Sequence, residues 1–388
     1  MKQTMPDTQI EFDAHRAYRH IEQLAFPRLA GSAGERKARD YLLNELAAQG
    51  YTVTREPFTY SRFPAEALPQ LIAIVSIGGV VSACLFYERY PLVAVVLCFA
   101  LILVVFVFTR WRKSLEPLYD LGKRYPSENI VAKNHSALDA RPQIVFVAHY
   151  DAKSQVLPIV VRALCYTIAS IGLVALTALI VIQALFVKGL PKAFVWGTGA
   201  CILLCLLTLL LNFTQNRSPG AFDNASGVGV VLELARCLKS SSVPVTFLFT
   251  GAEEFGMCGA LRYAQQHTPN PETYFINIDS VGTAEALSLI TRYGIPPVTT
   301  STQLGQALAN AAADTNVELR QVYLPVGVGF DHIPIASRSG EAVTLSSGGF
   351  GGASLRVHSA RDTIDLIQPT YLQRVGDVVL NFLRQNIA

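Results

Sequence analysis

Two adjacent carboxylates, Glu253 and Glu254, follow the apolar run 243–249 in the segment Gly-Ala-Glu-Glu-Phe. An unpaired buried charge is costly or forces protonation, so a glutamate pair at the end of a strand is usually compensated by cations or by solvent. An exposed turn would explain an isolated pair equally well. The pair is not isolated, because four other possible metal ligands also end or follow apolar, strand-like runs: His149, Asp223, Asp279 and His358.

Each of these residues is ambiguous when taken alone. His149 ends the run Gln-Ile-Val-Phe-Val-Ala, and Asp151 is the local acceptor expected to hold the second ring nitrogen of a ligating imidazole. Asp223, in Gly-Ala-Phe-Asp-Asn-Ala-Ser-Gly, could equally cap the helix that follows. Asp279 follows Tyr-Phe-Ile-Asn-Ile, and His358 follows the glycine-rich loop 346–354, which lacks the residues of a phosphate-binding loop.

Taken together, the set offers three carboxylates, two imidazoles and one spare glutamate. Zinc favours such a mixture of nitrogen and oxygen ligands, whereas calcium or magnesium seldom recruits two histidines. Five ligands are too many for one tetrahedral ion with an open position. They suit two ions about 3.5 to 4 Å apart that share a carboxylate and activate a water molecule.

The elements that would position these ligands follow from hydrophobic periodicity. Predicted helices at 33–49, 228–238, 261–266, 302–313 and 369–385 alternate with predicted strands at 51–58, 129–133, 143–148, 244–250, 274–278 and 342–345. This pattern predicts an α/β fold with a mostly parallel mixed sheet and helices on both faces. In such sheets the chemistry gathers at the carboxyl ends of the strands.

The composition, 51% hydrophobic and 16% charged, is more apolar than that of an ordinary soluble domain. The excess lies in two blocks, 69–109 and 156–213, each with two runs long enough to cross a bilayer: 71–87 and 92–109, then 159–187 and 193–213. We therefore expect four transmembrane helices inserted as two hairpins. The catalytic domain then comprises 1–68, 110–155 and 214–388.

Two hairpins place all candidate ligands on one side of the membrane. Arg110, Arg112 and Lys113 follow the second run, and no signal peptide is evident, so we expect a catalytic side in the cytoplasm and a location in the plasma (inner) membrane. The expected partners are the lipid bilayer and a peptide or amide substrate, for which a site near the membrane favours amphiphilic compounds. A net charge of +3 without a basic, aromatic-rich block gives no indication of nucleic-acid binding.

The segments HYD, GAFDNASGVG, TGAEEFG, NIDSVG and HSARDT, in this order, resemble the bacterial co-catalytic di-zinc aminopeptidases, whose relatives include glutaminyl cyclases and the transferrin receptor ectodomain. The segment 28–58 is similar to the amino-terminal part of that family. The resemblance covers the polar sequence and neither apolar block.

The resemblance implies a role for each matching residue. One zinc would be held by His149 and Asp279, the other by Glu254 and His358, with Asp223 as the bridge. Glu253 would be the general base that takes a proton from the water and returns it to the leaving amine. A cis peptide bond between Asp223 and Asn224 is also implied.

Four further residues are candidates for the substrate pocket. Phe330, Asp331 and His332 resemble a family segment that often begins with Ser-Asp-His, although Asp331 and His332 could instead cap and pack a loop. Arg292 could meet a substrate carboxylate or lie in solvent after a strand. Asp362 is expected to cap the final turn.

Three functions are compatible with these features. The first is a membrane-anchored, zinc-dependent aminopeptidase that hydrolyses amino-terminal peptide bonds with two Zn²⁺ per chain. The second is a di-zinc amidase or deacylase acting on lipidated or N-acylated compounds. The third is a non-catalytic membrane scaffold, which predicts lost ligands, whereas none is missing.

Overall fold

The computed structural model describes residues 11–110, 116–118, 120–137, 144–186, 189–267, 272–284, 286–294, 296–324, 329–338, 340–347 and 352–386. Two compact units are present. The sheet unit comprises 1–61, 123–154 and 215–388, and the helical unit comprises 62–122 and 155–214. The predicted apolar blocks 69–109 and 156–213 lie within the two segments of the helical unit. Arg112 and Lys113, used above for orientation, lie outside the described residues.

The strands in chain order are β1 (Thr52–Ser61), β2 (Arg124–Lys133), β3 (Ile144–His149), β4 (Ser154–Gln155), β5 (Thr214–Gln215), β6 (Val245–Thr250), β7 (Tyr274–Ile278), β8 (Leu287–Tyr293), β9 (Val298–Thr299), β10 (Leu319–Leu324) and β11 (Glu341–Ser346). The helices are α1 (Ala14–Leu24), α2 (Ala33–Ala48), α3 (Ala67–Phe86), α4 (Pro91–Arg110), α5 (Ile159–Leu185), α6 (Lys192–Leu210), α7 (Ser226–Leu238), α8 (Cys258–Gln266), α9 (Gln303–Asp314), α10 (His332–Ala336) and α11 (Pro369–Asn386). β4 and β5 pair as a separate two-stranded sheet.

The other described strands form one sheet in the order β1-β2-β6-β3-β7-β11-β8-β10, with β9 beside β8. The central strands β6, β3, β7 and β11 are parallel. The pairs β1–β2, β2–β6, β11–β8 and β8–β9 are antiparallel. The prediction of a mixed sheet is confirmed, but "mostly parallel" is wrong, because antiparallel pairs are as numerous as parallel ones among the described strands. The alternation in 51–58 already indicated a strand with one solvated face, which is typical of antiparallel edges.

Helices cover both faces of the sheet, as predicted. Every residue of β3 is buried, and successive side chains point to opposite faces. Phe146 packs in a cluster with residues of α1, α7, α9 and α11. Val145 and Val147 pack in a second cluster with residues of α8 and α10. This two-sided burial explains why β3 and β6 are mostly apolar and why their last residues are fixed at the carboxyl edge.

The helical unit consists of α3, α4, α5 and α6. Among the described residues, α3, α5 and α6 are long and apolar enough to cross a membrane, and α4 contributes the shorter apolar stretch Pro91–Val104. The helices share a small interior cluster that includes Val80, Leu176 and Ile202. Their outward faces are apolar and exposed, as at Leu92, which is 73% exposed.

Several elements were not predicted from the sequence. These are α1, β4, β5, β9, β10 and α10, and β8 was predicted only as an unbounded strand before Arg292, which in fact lies within it. In α1 the buried residues are Ala14, Ala17, His20, Ile21 and Leu24, and the rest of the helix is polar, so its apolar pattern is weak. In β10 no side chain is fully buried, so the strand lacks a strong apolar signal.

Candidate metal centre

The candidate ligands meet at the carboxyl edge of the sheet unit. His149 is the last residue of β3, and Asp279 follows β7 directly. Nε2 of His149 lies 3.1 Å from Oδ1 of Asp223 and 3.5 Å from Oδ2 of Asp279. These three side chains therefore form one set of nitrogen and oxygen donors suited to a cation.

A second donor set lies on the other side of Asp223. Nε2 of His358 is 3.3 Å from Oδ2 of Asp223 and 3.0 Å from Oε2 of Glu254. Within each set the donor atoms all lie within 4.8 Å of one another. Asp223 belongs to both sets and directs one carboxylate oxygen to each, which is the arrangement of a bridging ligand.

Asp362 and Asn224 hold Asp223 in this position. The carboxylate of Asp362 accepts hydrogen bonds from the backbone N–H groups of Phe222 (2.7 Å) and Asp223 (3.1 Å). Asp362 therefore anchors the Asp223 turn, whereas the sequence predicted only a cap of the final turn. Asn224 donates to the carbonyl of Ile278 and accepts from Ser280 N–H, which ties the turn to the residues around Asp279. The peptide bond between Asp223 and Asn224 is cis, as expected.

Asp151 supports both the histidine and the glutamate pair. Nδ1 of His149 lies 3.1 Å from the main-chain oxygen of Asp151, whereas its distance to the Asp151 carboxylate is 3.7 Å. Asp151 is therefore the residue that holds Nδ1 of His149, as the sequence predicted, but it does so through its main-chain carbonyl and not through its side chain. The buried carboxylate instead accepts from the backbone N–H groups of Glu253 (3.0 Å) and Glu254 (3.3 Å). This fixes the turn that presents the two glutamates.

The crowded, buried carboxylates of the site favour the binding of a cation. Burial raises the pKa of Glu253 well above its usual range, and the charges of Asp331, Glu254 and Asp279 add to the rise. Burial also raises the pKa of Asp279. Although burial opposes the charged forms, the imidazoles of His149 and His358 hold the pKa of Asp223 below its usual value. Crowded carboxylates with imidazole neighbours fit zinc, because a cation would remove the repulsion that otherwise forces protonation.

Lys153 is a charged neighbour that sequence reasoning missed. Its Nζ lies 3.1 Å from Oε2 of Glu254 and donates to the Glu254 carbonyl at 2.6 Å, while its backbone N–H donates to Oε1 of Glu254. The only sequence signal was its position two residues after Asp151. Lys153 therefore places a fixed positive charge beside one of the two donor sets.

Arg28 was also missed, although it lies in the segment that resembles the family. It is completely buried, and its guanidinium donates to the carbonyls of Tyr150, Leu24, Phe26, Pro219 and Gly220. Tyr150 lies between His149 and Asp151, and Gly220 begins the Asp223 turn. Arg28 thereby joins two of the ligand-bearing segments through their backbones.

The predicted pocket residues divide into two groups. Asp331 accepts a hydrogen bond from Thr250, the last residue of β6, and burial raises the pKa of Asp331 to about 7. His332 is buried, contacts Thr344 through Nδ1 at 2.7 Å and stacks on Phe330. Arg292 is exposed on β8 with its guanidinium over the Tyr323 ring, and none of its described contacts involves a metal-ligand candidate.

The fold and site define a class: a mixed α/β protein with a cluster of possible metal ligands at the carboxyl edge of its sheet. Residues 129–383 match the family described as Peptidase family M28. The chain belongs to this family, and the resemblance inferred from the sequence is confirmed.

Known relatives agree with this assignment. The chain is 31% identical over 174 residues to aminopeptidase YwaD of Bacillus subtilis, covering 42% of this chain and 36% of the relative. The chain thus spans about a third of that curated relative. Among solved structures, it is similar to an aminopeptidase from Aneurinibacillus sp. strain AM-1 (TM-score 0.57, 18% identity, 97% and 94% of the two chains covered). It is also similar to the glutaminyl cyclase of Porphyromonas gingivalis (TM-score 0.54, 16% identity, 97% and 99% covered). At these identities the structural likeness concerns the fold.

Proposed function

We propose that this chain is a membrane-anchored, zinc-dependent aminopeptidase that binds two Zn²⁺ ions and hydrolyses amino-terminal peptide bonds. The observation that carries the proposal is the position of Asp223 between two donor sets, His149 with Asp279 and Glu254 with His358. Membership of a zinc peptidase family and the similarity to aminopeptidase YwaD support the choice of metal and reaction.

In this proposal the five ligands hold the ions, which would polarise the scissile carbonyl and lower the pKa of a water molecule. Glu253 accepts the proton of that water and returns it to the leaving amine. A general base must be held in place and must have enough proton affinity to take a proton from the water. The hydrogen bond from Glu253 N–H to the Asp151 carboxylate serves the first need, and the raised pKa of Glu253 reflects a higher proton affinity.

Anchoring in the plasma (inner) membrane by four spans, with a cytoplasmic catalytic side, is part of the proposal. Its support is the apolar length of α3, α5 and α6, together with α4 as the fourth span. An integral membrane location favours a second candidate substrate class, lipidated or N-acylated amides. The donor sets suit either kind of amide, so an assay has to distinguish the two substrate classes.

The test uses the full-length protein purified in detergent. We expect nearly two zinc ions per chain by elemental analysis and release of amino acid from aminoacyl amides with a free amine. Glu253→Gln should retain its zinc and its Tm but lose activity by about 10²- to 10⁴-fold, because only proton transfer is removed. Exposed Glu318→Gln serves as the matched control.

Three outcomes would count against the proposal. Unchanged turnover in Glu253→Gln would refute the mechanism. Zinc near zero in the purified protein would indicate a scaffold. Metal-dependent cleavage confined to N-acyl amides would replace the aminopeptidase by the amidase.

A further inference from the structure

The helical unit contains a cavity of about 470 Å³ that the proposed hydrolysis does not use. Its walls come from α3, α4, α5 and α6 and from the segments that flank them, all within the helical unit. The volume is within the range of small-molecule binding sites, about 300 to 1,000 Å³. The cavity is therefore large enough for a bound molecule and not only for a packing defect.

The cavity is elongated and differs in polarity along its length. On α5 the lining runs from Arg162 to Leu173, which is about 16 Å along a helix axis. On α3 the lining runs from Ala67, at the amino terminus of the helix, to Val80, just as the α5 lining runs from near the amino terminus of α5 towards its middle. The inner end is lined by aliphatic side chains, including Leu101 and Ile202.

The outer end of the cavity, near the amino terminus of α5, is polar. Arg162 lies there with Gln70, Gln155 and Asn212, and Glu66 lies at the same end. Oε1 of Gln155 is buried and has no hydrogen-bond partner among the described residues. A cation, amides and a buried acceptor suit a head group with an anionic oxygen and a hydrogen-bond donor. Glu66 would favour a positive group next to that oxygen.

We propose that this cavity binds a single-chain amphiphile whose head group carries an anionic oxygen, with the head group at Arg162 and the chain between α3, α5 and α6. The apolar walls favour an acyl chain, because an empty cavity loses dispersion contacts and water finds few polar partners there. The shared chemistry fits a fatty acid or a lysophospholipid. The site lies outside the metal centre and does not depend on the proposed hydrolysis.

The experiment is photocrosslinking of full-length protein in nanodiscs with a diazirine-bearing fatty acid, followed by peptide mapping. We expect saturable labelling of α3 and α5 peptides, displaced by oleate or lysophosphatidylethanolamine but weakly by oleyl alcohol. Displacement by lysophosphatidylethanolamine at lower concentration than oleate would identify the zwitterion as the better ligand, and the reverse order would identify the fatty acid.

Two pairs of variants separate this site from ordinary surrounding lipid. Ala73→Phe fills the cavity, whereas Ile74→Phe changes the neighbouring residue, which is 55% exposed and does not line it. Arg162→Gln removes the cation of the polar end, whereas Lys192→Gln removes a cation paired with Glu88. We expect Ala73→Phe to abolish saturable labelling and Arg162→Gln to weaken oleate about tenfold. Both controls should bind like the parent protein.

Zinc content and Tm show whether each variant is folded. If Ala73→Phe does not fold, Arg162→Gln with its control carries the test. Non-saturable labelling, or labelling that Arg162→Gln and a folded Ala73→Phe leave unchanged, would overturn the proposal in favour of surrounding lipid only.

Discussion

The sheet unit and the helical unit distribute charge in opposite ways. In the described part of the chain, every buried Asp, Glu, Arg and His belongs to the sheet unit. The large apolar side chains that are exposed lie mainly in the helical unit. Among the described residues, only Tyr323 and Leu355 of this kind lie in the sheet unit. A protein in water seldom exposes so much apolar surface, whereas helices surrounded by lipid do so without cost.

The two units are therefore stabilised in different ways. Buried charge in the sheet unit is tolerated where hydrogen bonds or cations satisfy it, as with Arg28 and Asp362. The helical unit avoids buried charge and depends on close packing. Substitutions that remove one kind of compensation should therefore affect one unit strongly and the other little.

The largest effect is expected for Arg28→Met. The change removes the guanidinium donor of the carbonyls of Tyr150, Phe26 and Pro219, whereas those of Leu24 and Gly220 keep backbone N–H donors from Phe26 and Ala225. Buried unsatisfied groups cost about 1 to 3 kcal/mol each before relaxation. We expect a loss of about 4 kcal/mol or more in unfolding free energy, measured by thermal unfolding of the purified protein. Exposed Arg36→Met on α2 should change it by less than about 0.5 kcal/mol. Equal effects of the two changes would show that burial of Arg28 does not matter.

A smaller, pH-dependent effect is expected for Glu35→Gln. Burial, with a smaller contribution from the nearby charge of Asp151, raises the pKa of Glu35 from 4.5 to about 7. The folded protein therefore binds more protons than the unfolded chain between pH 4.5 and 7, and stability falls as the pH rises through this window. The loss at pH 8 is up to about 3 kcal/mol.

The check is the difference in Tm between Glu35→Gln and the parent protein at pH 5.5 and pH 8. The variant should gain on the parent as the pH rises, because glutamine does not ionise. Any pH dependence of metal binding is shared by both proteins and cancels in the difference. Glu318→Gln, on the surface, should show no such trend, and a constant offset for Glu35→Gln would contradict the assignment.

A pair of changes on α5 tests how much the helical unit depends on packing. Leu176 is completely buried in the helical unit, whereas Ile171 is 66% exposed. Leu176→Ala should lower stability by about 2 kcal/mol through lost packing, and Ile171→Ala by less than about 0.5 kcal/mol. Unfolding in detergent measures both. If Ile171→Ala were the more harmful change, the outward face of α5 would have to be a packed interface.

Three candidate ligands were predictable because they end or closely follow buried strands. His149 ends β3, Glu254 follows β6 and Asp279 follows β7, and a largely apolar run indicates both a central strand and the edge at which it ends. The metal and the fold class followed from residue type and order. The four apolar runs were equally clear, since Arg162 is the only charged residue within them.

The parts that were not predictable depend on contacts distant in sequence. Arg28 meets its partners at Pro219 and Gly220, about 190 residues further along, and nothing in its own neighbourhood indicates burial. The polar strand β10 is fixed by pairing with β8, not by its own pattern. Whether Asp151 uses its carboxylate or its carbonyl towards His149 is likewise a matter of geometry, which residue spacing does not define.

The smallest effect concerns Lys153 and the proposed pair of zinc ions. Its ammonium group lies 3.1 Å from Oε2 of Glu254, so it repels a cation bound by Glu254 and His358 more than one bound by His149 and Asp279. We therefore expect stepwise binding, with the Glu254 and His358 set filled second. Lys153→Met should tighten that second step by about tenfold, or about 1.4 kcal/mol, and leave the first step unchanged. Competition of the metal-free protein with a chromophoric zinc chelator measures both steps, and exposed Lys239→Met is the control. Weaker second-step binding in Lys153→Met would instead mean that Lys153 holds the Glu254 carboxylate in its ligating position, and that this positioning outweighs the repulsion.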